Sequence, residues 1–362
     1  MIGSAEYIVT LSASFFGKLL GLICDNCILS MAIFISVPSY KDPLLTETMC
    51  SAYQNAKFKK NLRFCVLDQS EHGIKIDKLI FKDQIIYENV PPVISKGVCW
   101  ARSRIQEYFE DEEYYLQIDS HTIFQENWDE ILITYYDWLK AQNNNFVISS
   151  YPRAFTCNKT LTEFELDTKF QGTHGMSFKK GDVFKYDIVS IQTAIPTSSS
   201  EPLKGHLVAA GFLFSSGNFV KEIPYDPEYY FHGEELAIAV KLFTRGWDVF
   251  HIPKTPLFHL YTDVENLPRD LHWNPKDEEN RIKKWTELDA ISKKKIESLF
   301  NGEVDGKFGL GDKRTIKDFG NALGLDFEKK EIVSPDLAFT ESRFLRVINE
   351  SVPFASVLAN NK

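Results

Sequence analysis

The feature that most restricts the fold of this chain is a strand–helix–strand pattern that begins soon after Met31. The apolar run AIFISV ends at Pro38, a polar stretch with helical spacing covers about 44–59, and the run LRFCVL follows at 62–67. Parallel strands joined by a helix form a βαβ unit, and ligands bind beyond the carboxyl ends of its strands. The pattern therefore predicts an α/β fold whose ligand loops directly follow these strands.

A further buried strand is predicted over 114–118 (YYLQI), and it runs into Asp119-Ser120-His121. Residues i and i+2 of an extended segment point the same way, so the Asp119 carboxylate and the His121 imidazole can share one cation. An oxygen and a nitrogen ligand together suit Mn²⁺, with Mg²⁺ as the alternative. His259, which follows a predicted strand and a proline-bounded loop, is a candidate third ligand. Without a metal, Asp119 would cap the turn and His121 would lie on the surface.

Charge and cysteine content exclude several classes of function. The chain has 362 residues, and 41 Lys and Arg against 50 Asp and Glu give a net charge of −9, which repels polyphosphate. We therefore expect no nucleic-acid partner. The six cysteines are dispersed except for Cys24 and Cys27, so the pattern favours buried reduced thiols over a zinc site, with a Cys-x-x-Cys redox motif at Cys24 and Cys27 as the alternative.

Residues 1–30 form an apolar segment whose role the sequence leaves open. Its stretch 8–24 has about 17 residues, contains Lys18 and follows Glu6, whereas a membrane-spanning helix needs about 20 apolar residues. We expect a cytoplasmic protein, with a membrane anchor through 8–24 as the alternative.

Several motifs occur together in the second half of the chain and in the 115–133 region. The run GFLFSSGNFVKEIPYDPEYYFHGEEL, which opens 211–261, together with YLQIDSHTIF and NWDEIL, closely resembles the hydroxyproline-directed polypeptide N-acetylglucosaminyltransferases and their bacterial relatives. FGLGDKRTIKDF at 308–319 is similar to the C-terminal segment of that family, and the resemblance covers about 31–327. WARSRIQ and IDSH are more distantly similar to polypeptide N-acetylgalactosaminyltransferases, which also use an Asp-x-His metal motif.

The resemblance implies a GT-A-like (Rossmann-like) domain over 31–262, followed by a helical C-terminal extension and tail over 263–362. It implies metal-dependent transfer of N-acetylglucosamine, or a related sugar, from a UDP-sugar to a protein or glycan hydroxyl, with retention of anomeric configuration. One alternative is a nucleotidyltransferase that forms nucleotide-sugars, although such enzymes carry a glycine-rich basic loop that PSYKDP lacks. A catalytically silent carbohydrate-binding protein is the other.

The resemblance also implies a role for individual residues. Asp119, His121 and His259 would hold the Mn²⁺ ion. Arg102 lies on the helix that precedes the predicted strand 114–118, and it would contact the nucleotide or diphosphate. The alternative is a surface salt bridge to the acidic run at 110–113.

The remaining candidates surround the expected donor. Ser39, Tyr40, Asp68 and Gln69 would cradle the uridine, and Ala210 and Gly211 would let the backbone approach the sugar. Glu234 would recognise sugar hydroxyls, and Glu235 would orient the acceptor; both open a predicted helix, where acidic residues are also common for structural reasons. Two further expectations are a flexible lid over 155–205 and solvated loop positions for His174, His206 and His272.

Overall fold

The computed structural model describes residues 31–261 and 269–347. The apolar stretch 8–24 and the Cys24–Cys27 pair lie outside the described residues, so the two expectations about them remain predictions. Within the described ranges, no helix combines the length and the apolar character needed to span a membrane.

The described residues form nine α-helices and seventeen strands. The helices are α1 (Leu45–Asn55), α2 (Val98–Gln106), α3 (Trp128–Leu139), α4 (Asn218–Glu222), α5 (Glu234–Thr244), α6 (Pro275–Glu278), α7 (Trp285–Phe300), α8 (Ile316–Leu323) and α9 (Pro335–Phe339). The first ten strands are β1 (Ile33–Tyr40), β2 (Leu62–Gln69), β3 (Ile85–Val90), β4 (Tyr114–Ile118), β5 (Thr122–Phe124), β6 (Phe146–Ser149), β7 (Arg153–Cys157), β8 (Phe164–Leu166), β9 (Thr173–Phe178) and β10 (Gln192–Thr197). The remaining strands are β11 (Leu203–Gly205), β12 (Phe212–Ser216), β13 (Asp248–His251), β14 (Leu257–His259), β15 (Leu325–Asp326), β16 (Glu331–Ile332) and β17 (Leu345–Arg346).

A mixed nine-stranded sheet forms the centre of the molecule, in the order β17-β11-β13-β6-β12-β4-β1-β2-β3. Strand β1 pairs in parallel with both β2 and β4, while β12 runs antiparallel to β4 and β6. Seven of the eight residues of β1 are buried, as expected for a strand covered on both faces. The βαβ unit predicted from the sequence is present as β1, α1 and β2.

A second, four-stranded sheet in the order β5-β14-β7-β8 lies beyond the end of β4. Strands β5 and β14 pair antiparallel, with His259 opposite Thr122. Because β5 starts three residues after Asp119, this pairing brings His259 next to the end of β4. The second sheet therefore joins two parts of the chain that are far apart in sequence.

The 155–205 region differs from the flexible lid expected from its composition. It contains β8, the antiparallel hairpin of β9 and β10, and β11 at the central sheet. Met176, Phe178 and Val189 are buried in the main hydrophobic core. The polar, Ser/Thr-rich composition concealed these short strands because few of their residues are apolar.

The described part of the C-terminal extension packs into the same core as the preceding chain. Ile296 and Leu299 of α7 and Phe319 and Leu323 of α8 are buried with residues of α5. Helices predominate as expected, but the segment also contributes β17, which pairs with β11 at the edge of the central sheet.

Candidate functional site

The structure brings Asp119, His121 and His259 together at the end of β4. One ligand atom from each lies within 4.8 Å of the others. The Oδ2 atom of Asp119 is 3.1 Å from Nε2 of His259 and 3.9 Å from Nε2 of His121. One carboxylate oxygen and two imidazole nitrogens converging on a point form a donor set that suits Mn²⁺ and other divalent transition metals.

His121 is oriented by Asp42, in the loop after β1. Its Nδ1 lies 2.7 Å from Oδ2 of Asp42, which also accepts a hydrogen bond from the Ser120 hydroxyl. A histidine that donates its Nδ1 proton to a carboxylate presents the lone pair of Nε2, as metal-binding histidines commonly do. Sequence reasoning missed Asp42, and the available signal was its position in a loop directly after a buried strand.

The electrostatics of the cluster favour an ionised carboxylate and a neutral imidazole. Burial acts to raise the pKa of Asp119, but the hydrogen bond with His259 and the charge of Arg102 outweigh it and hold this pKa well below its usual range. Burial lowers the pKa of His259. Both shifts favour the protonation states that bind metals.

Arg102 is buried on α2 and joins two carboxylates. Its Nη2 donates to Oδ1 of Asp119 at 2.8 Å, and its Nη1 donates to Oε1 of Glu234 at 2.9 Å. The alternative, a surface salt bridge to 110–113, is wrong, because Glu110 and Glu112 of that run pair with Arg63 instead.

Two cavities meet at the three candidate metal ligands. The first has a volume of about 420 Å³ and the second about 390 Å³, and Val98, Asp119, Phe231 and His259 line both. A larger cavity of about 700 Å³ lies between α7 and α8 and contains none of the candidate residues. A ligand that extends from the first cavity into the second would pass Asp119 and His259, which line both, while His121 lines the first cavity only.

The first cavity contains most of the residues expected to contact uridine. Ser39, Tyr40 and Gln69 line it, and the Nε2 group of Gln69 donates to the Ser39 carbonyl at 2.9 Å. Asp68 is absent from the lining residues, and its carboxylate accepts a hydrogen bond from the Tyr87 hydroxyl at 2.7 Å. The Asp68 side chain therefore contacts Tyr87 of β3 and lies outside the cavity lining.

His272 also lines this cavity, in contrast to the solvated loop position expected for it. It is buried, with Nε2 at 2.9 Å from the Ser95 hydroxyl and Nδ1 at 2.9 Å from the Tyr230 hydroxyl. Burial lowers its pKa to about 3, so the ring is neutral.

The other two histidines expected in solvated loops are also largely enclosed. His174 lies within β9, where its Nδ1 is 3.1 Å from the Tyr151 carbonyl, and burial lowers the pKa of His206 to about 4. These expectations were wrong because burial of a single histidine leaves no pattern in the sequence.

The second cavity contains Ala210, Gly211, Glu234 and Glu235. A Cβ atom at Gly211 would lie 2.8 Å from Oδ2 of Asp119, so the absence of a side chain keeps this candidate ligand oxygen accessible. The group that lies close to Gly211 is therefore Asp119, one of the three candidate metal ligands.

Glu235 lines the second cavity and is held by several hydrogen bonds. It accepts hydrogen bonds from the Ala210 amide at 2.8 Å and the Tyr151 hydroxyl at 3.1 Å. Gln192 Nε2 donates to the same carboxylate at 3.4 Å, and neither Tyr151 nor Gln192 was singled out from the sequence. Burial is the main cause that raises the pKa of Glu235 to about 7.

This raised pKa predicts a pH-dependent stability. Between about pH 4.5 and 7, the folded protein retains a proton at Glu235 that the unfolded chain has released, so stability falls as pH rises. Glu235→Gln cannot ionise at this position, so it does not lose this stability. We expect the difference in free energy of unfolding between Glu235→Gln and wild type to shift in favour of the variant by up to about 3 kcal/mol as the pH rises from 4.5 to 8. Urea denaturation at both pH values measures this, with exposed Glu328→Gln as the control. A difference that stays constant with pH would contradict the prediction.

Comparison with solved structures identifies the fold. The crystal structure of GalNAc-T7 with UDP, GalNAc and Mn²⁺ is similar at a TM-score of 0.51 and 14% identity, over 64% of this chain. This chain spans 43% of the GalNAc-T7 chain. Staphylococcus aureus TarS 1-349 in complex with UDP-GlcNAc aligns over 83% of this chain and 78% of its own, with 14% identity and a TM-score of 0.38, too low to establish a shared fold.

The mixed sheet, with Asp119 and His121 at the end of β4, has the GT-A fold. The family model described as Glycosyltransferase (GlcNAc) matches residues 54–329, most of the chain. The chain therefore belongs to this GlcNAc glycosyltransferase family. A search of curated protein sequences gives no significant match.

Proposed function

We propose that this protein transfers N-acetylglucosamine, or a related sugar, from a UDP-sugar to a hydroxyl group of a protein or glycan acceptor. Membership of the GlcNAc glycosyltransferase family supports the reaction class. The observation that carries the proposal is the position of Asp119, His121 and His259 at the junction of two cavities. A nucleotide-sugar has its diphosphate between its two ends, so this junction is where a cation would be needed.

The first cavity would receive the nucleoside. The ring of Tyr40 lies at the end of β1, with its centroid 4.9 Å from that of His272, and the two rings offer an apolar wall for a base. Gln69 lines the same cavity, where its side-chain amide holds the Ser39 carbonyl at the end of β1. Asp119, His121 and His259 would hold Mn²⁺, with Mg²⁺ as the alternative, and a bound ion would act as a Lewis acid that stabilises the departing diphosphate.

The second cavity would receive the sugar and the acceptor hydroxyl. The small residues Ala210 and Gly211 leave room for the sugar, and Glu235 would orient the acceptor by accepting a hydrogen bond from its hydroxyl group. The acceptor oxygen then bonds to the anomeric carbon as the bond from that carbon to the β-phosphate oxygen breaks. The acceptor proton passes to the departing phosphate.

Retention of configuration follows if attack occurs on the face from which the diphosphate departs. The alternative route to retention is a covalent sugar–enzyme intermediate, which requires an available carboxylate nucleophile. The carboxylates that line the second cavity are Asp119, Glu234 and Glu235, and each is held by hydrogen bonds to neighbouring protein groups. These contacts favour the front-face route, and the product from an α-linked donor would be α-linked.

The acceptor is proposed from the family resemblance alone. The motifs in 211–261 resemble hydroxyproline-directed enzymes, which makes a hydroxyproline-containing peptide the first acceptor to test. Other protein hydroxyls and glycan hydroxyls are the alternatives.

A donor panel tests the proposed function directly. The protein is incubated with several UDP-sugars and Mn²⁺, and the UDP released by transfer or slow hydrolysis is measured. We expect the highest rate with UDP-N-acetylglucosamine, loss of activity with EDTA, and recovery on addition of Mn²⁺. Failure to release UDP from any UDP-sugar, with Mn²⁺ or Mg²⁺ present, would overturn the proposal. A β-linked product, identified from its NMR coupling constant, would overturn retention.

A further inference from the structure

We propose that Glu234 is a positioning residue for the metal centre, acting through Arg102 to fix Asp119 so that a single carboxylate oxygen faces the cation. The inference rests on the proposed function, because it assumes that the cluster of Asp119, His121 and His259 binds a divalent metal. It gives Glu234 a role different from the sugar contact expected from the sequence.

The geometry divides the two oxygens of Asp119 between two tasks. Oδ1 accepts from Nη2 of Arg102 at 2.8 Å, while Oδ2 faces Nε2 of His259 at 3.1 Å. A carboxylate with one oxygen held by a guanidinium offers the other as a monodentate ligand. Because Arg102 binds Oδ1, it leaves Oδ2 as the oxygen of Asp119 that is available to coordinate the metal.

Glu234 holds the other half of the same guanidinium group. Its Oε1 accepts from Nη1 of Arg102 at 2.9 Å, and its Oε2 accepts from the thiol of Cys99 at 2.5 Å. Both oxygens thus have protein partners, and the residue is 4% exposed. Its neighbour Glu235 is less buried and is held by different groups, namely Ala210, Tyr151 and Gln192.

Rigid surroundings keep the pair in place. Arg102 is 1% exposed, and its guanidinium carbon lies 5.6 Å from the centre of the buried Tyr225 ring. The Tyr225 hydroxyl in turn accepts a hydrogen bond from Gln117 of β4 at 2.8 Å. Because closely packed interiors leave little free space, a shift of Arg102 would be transmitted to Asp119.

Charge provides a second reason for a glutamate at this position. Arg102 places a positive charge beside the site that must attract a cation, and Glu234 neutralises it. Without the Glu234 carboxylate, the guanidinium would lower metal affinity by Coulomb repulsion in a poorly screened environment. Glu234 would thus contribute to metal binding by both geometry and charge.

Mn²⁺ affinity in the absence of any donor separates this role from a sugar contact. The dissociation constant is measured by the EPR signal of free Mn²⁺ for wild type, Glu234→Gln and Arg102→Lys, with Glu235→Gln as the matched control from the same helix turn. We expect affinity about 10-fold weaker for Glu234→Gln and Arg102→Lys, as for other groups that orient metal ligands. Lysine retains the charge of Arg102 but lacks the planar fork that contacts two carboxylates. Glu235→Gln should stay within about 2-fold of wild type, since its partners do not touch Asp119.

Steady-state kinetics at saturating Mn²⁺ complete the test. The KM for the UDP-sugar should remain close to wild type in Glu234→Gln once the metal site is filled. Wild-type Mn²⁺ affinity in Glu234→Gln, combined with a raised donor KM, would overturn the proposal and assign a direct sugar contact. Absence of Mn²⁺ binding by the wild-type protein would overturn it too.

Two further variants test the proposal if Glu234→Gln does not fold stably. If Glu234→Gln lowers the melting temperature severely, Glu234→Asp and Cys99→Ala replace it. We expect Glu234→Asp to weaken Mn²⁺ binding, because its shorter side chain cannot hold Arg102 as well, and Cys99→Ala to change affinity less than 3-fold, as it keeps the ion pair. The opposite order would overturn the positioning role. A protein that shows the expected Mn²⁺ pattern but releases no UDP from any donor would count against the proposed function alone.

Discussion

Replacement of Asp119 by asparagine is expected to abolish Mn²⁺ binding at micromolar concentrations and to lower kcat by about 10³-fold or more, which corresponds to about 4 kcal/mol of lost transition-state stabilisation. The substitution preserves the shape of the side chain but removes the one negative charge among the three candidate ligands. It also weakens the contact with Arg102, whose Nη2 now donates to an ionised oxygen at 2.8 Å. Arg102 would then keep only Glu234 as a charged partner, and the site that must attract a cation would carry one negative charge fewer.

Titration with Mn²⁺ and donor turnover measure the two effects of Asp119→Asn. Asp312→Asn is the matched control, because this carboxylate is 91% exposed and lies outside both cavities. Wild-type turnover is expected for the control. Retention of more than about a tenth of wild-type turnover by Asp119→Asn would show that the cluster has no part in the reaction.

Gly211→Ala is expected to lower turnover by about 10²-fold while leaving the fold intact, since even an ångström-scale displacement of a reacting or metal-binding group can have an effect of this size. The new Cβ atom would lie 2.8 Å from Oδ2 of Asp119, closer than carbon and oxygen normally approach. Asp119 would have to turn away from its position beside His259. The backbone at Gly211 is not in the left-handed region, so alanine itself is tolerated there.

Gly302→Ala provides a control with the opposite profile. Gly302 has a φ of +73° and no neighbouring atom within 4 Å of an added Cβ, so alanine there meets backbone strain without a steric clash. We expect Gly302→Ala to lower the melting temperature and preserve turnover. Gly211→Ala should preserve the melting temperature and lower turnover. Normal turnover in Gly211→Ala would contradict the placement of Asp119 in the reaction centre.

Local sequence patterns were sufficient to predict part of the fold and of the site. The pairing of Asp119 with His121 was predicted from the two-residue period of an extended segment, and the two residues do lie together, although 119–121 form the bend between β4 and β5. The βαβ unit follows from apolar runs separated by a helical stretch. His259 could be placed near them only by family resemblance, since the pairing of β5 with β14 is a long-range contact.

Other parts of the site depend on tertiary packing that leaves no local pattern. Asp42 contacts His121 across 79 positions of sequence, and Glu234 contacts Arg102 across 132. His272 is buried between Ser95 and Tyr230, which lie on other segments. Such residues look like ordinary polar loop or helix residues until the chain is folded.

The packing of α7 and α8 against α5 has a practical consequence for protein production. A fragment that stops near residue 262, where the sequence motifs suggest a boundary, would lack Ile296, Leu299, Phe319 and Leu323 from the main core. It would also uncover the apolar side of the helix that begins with Glu234 and Glu235. Expression of the first part alone should therefore give aggregated material, and a truncation series should retain soluble protein only when the later helices are included.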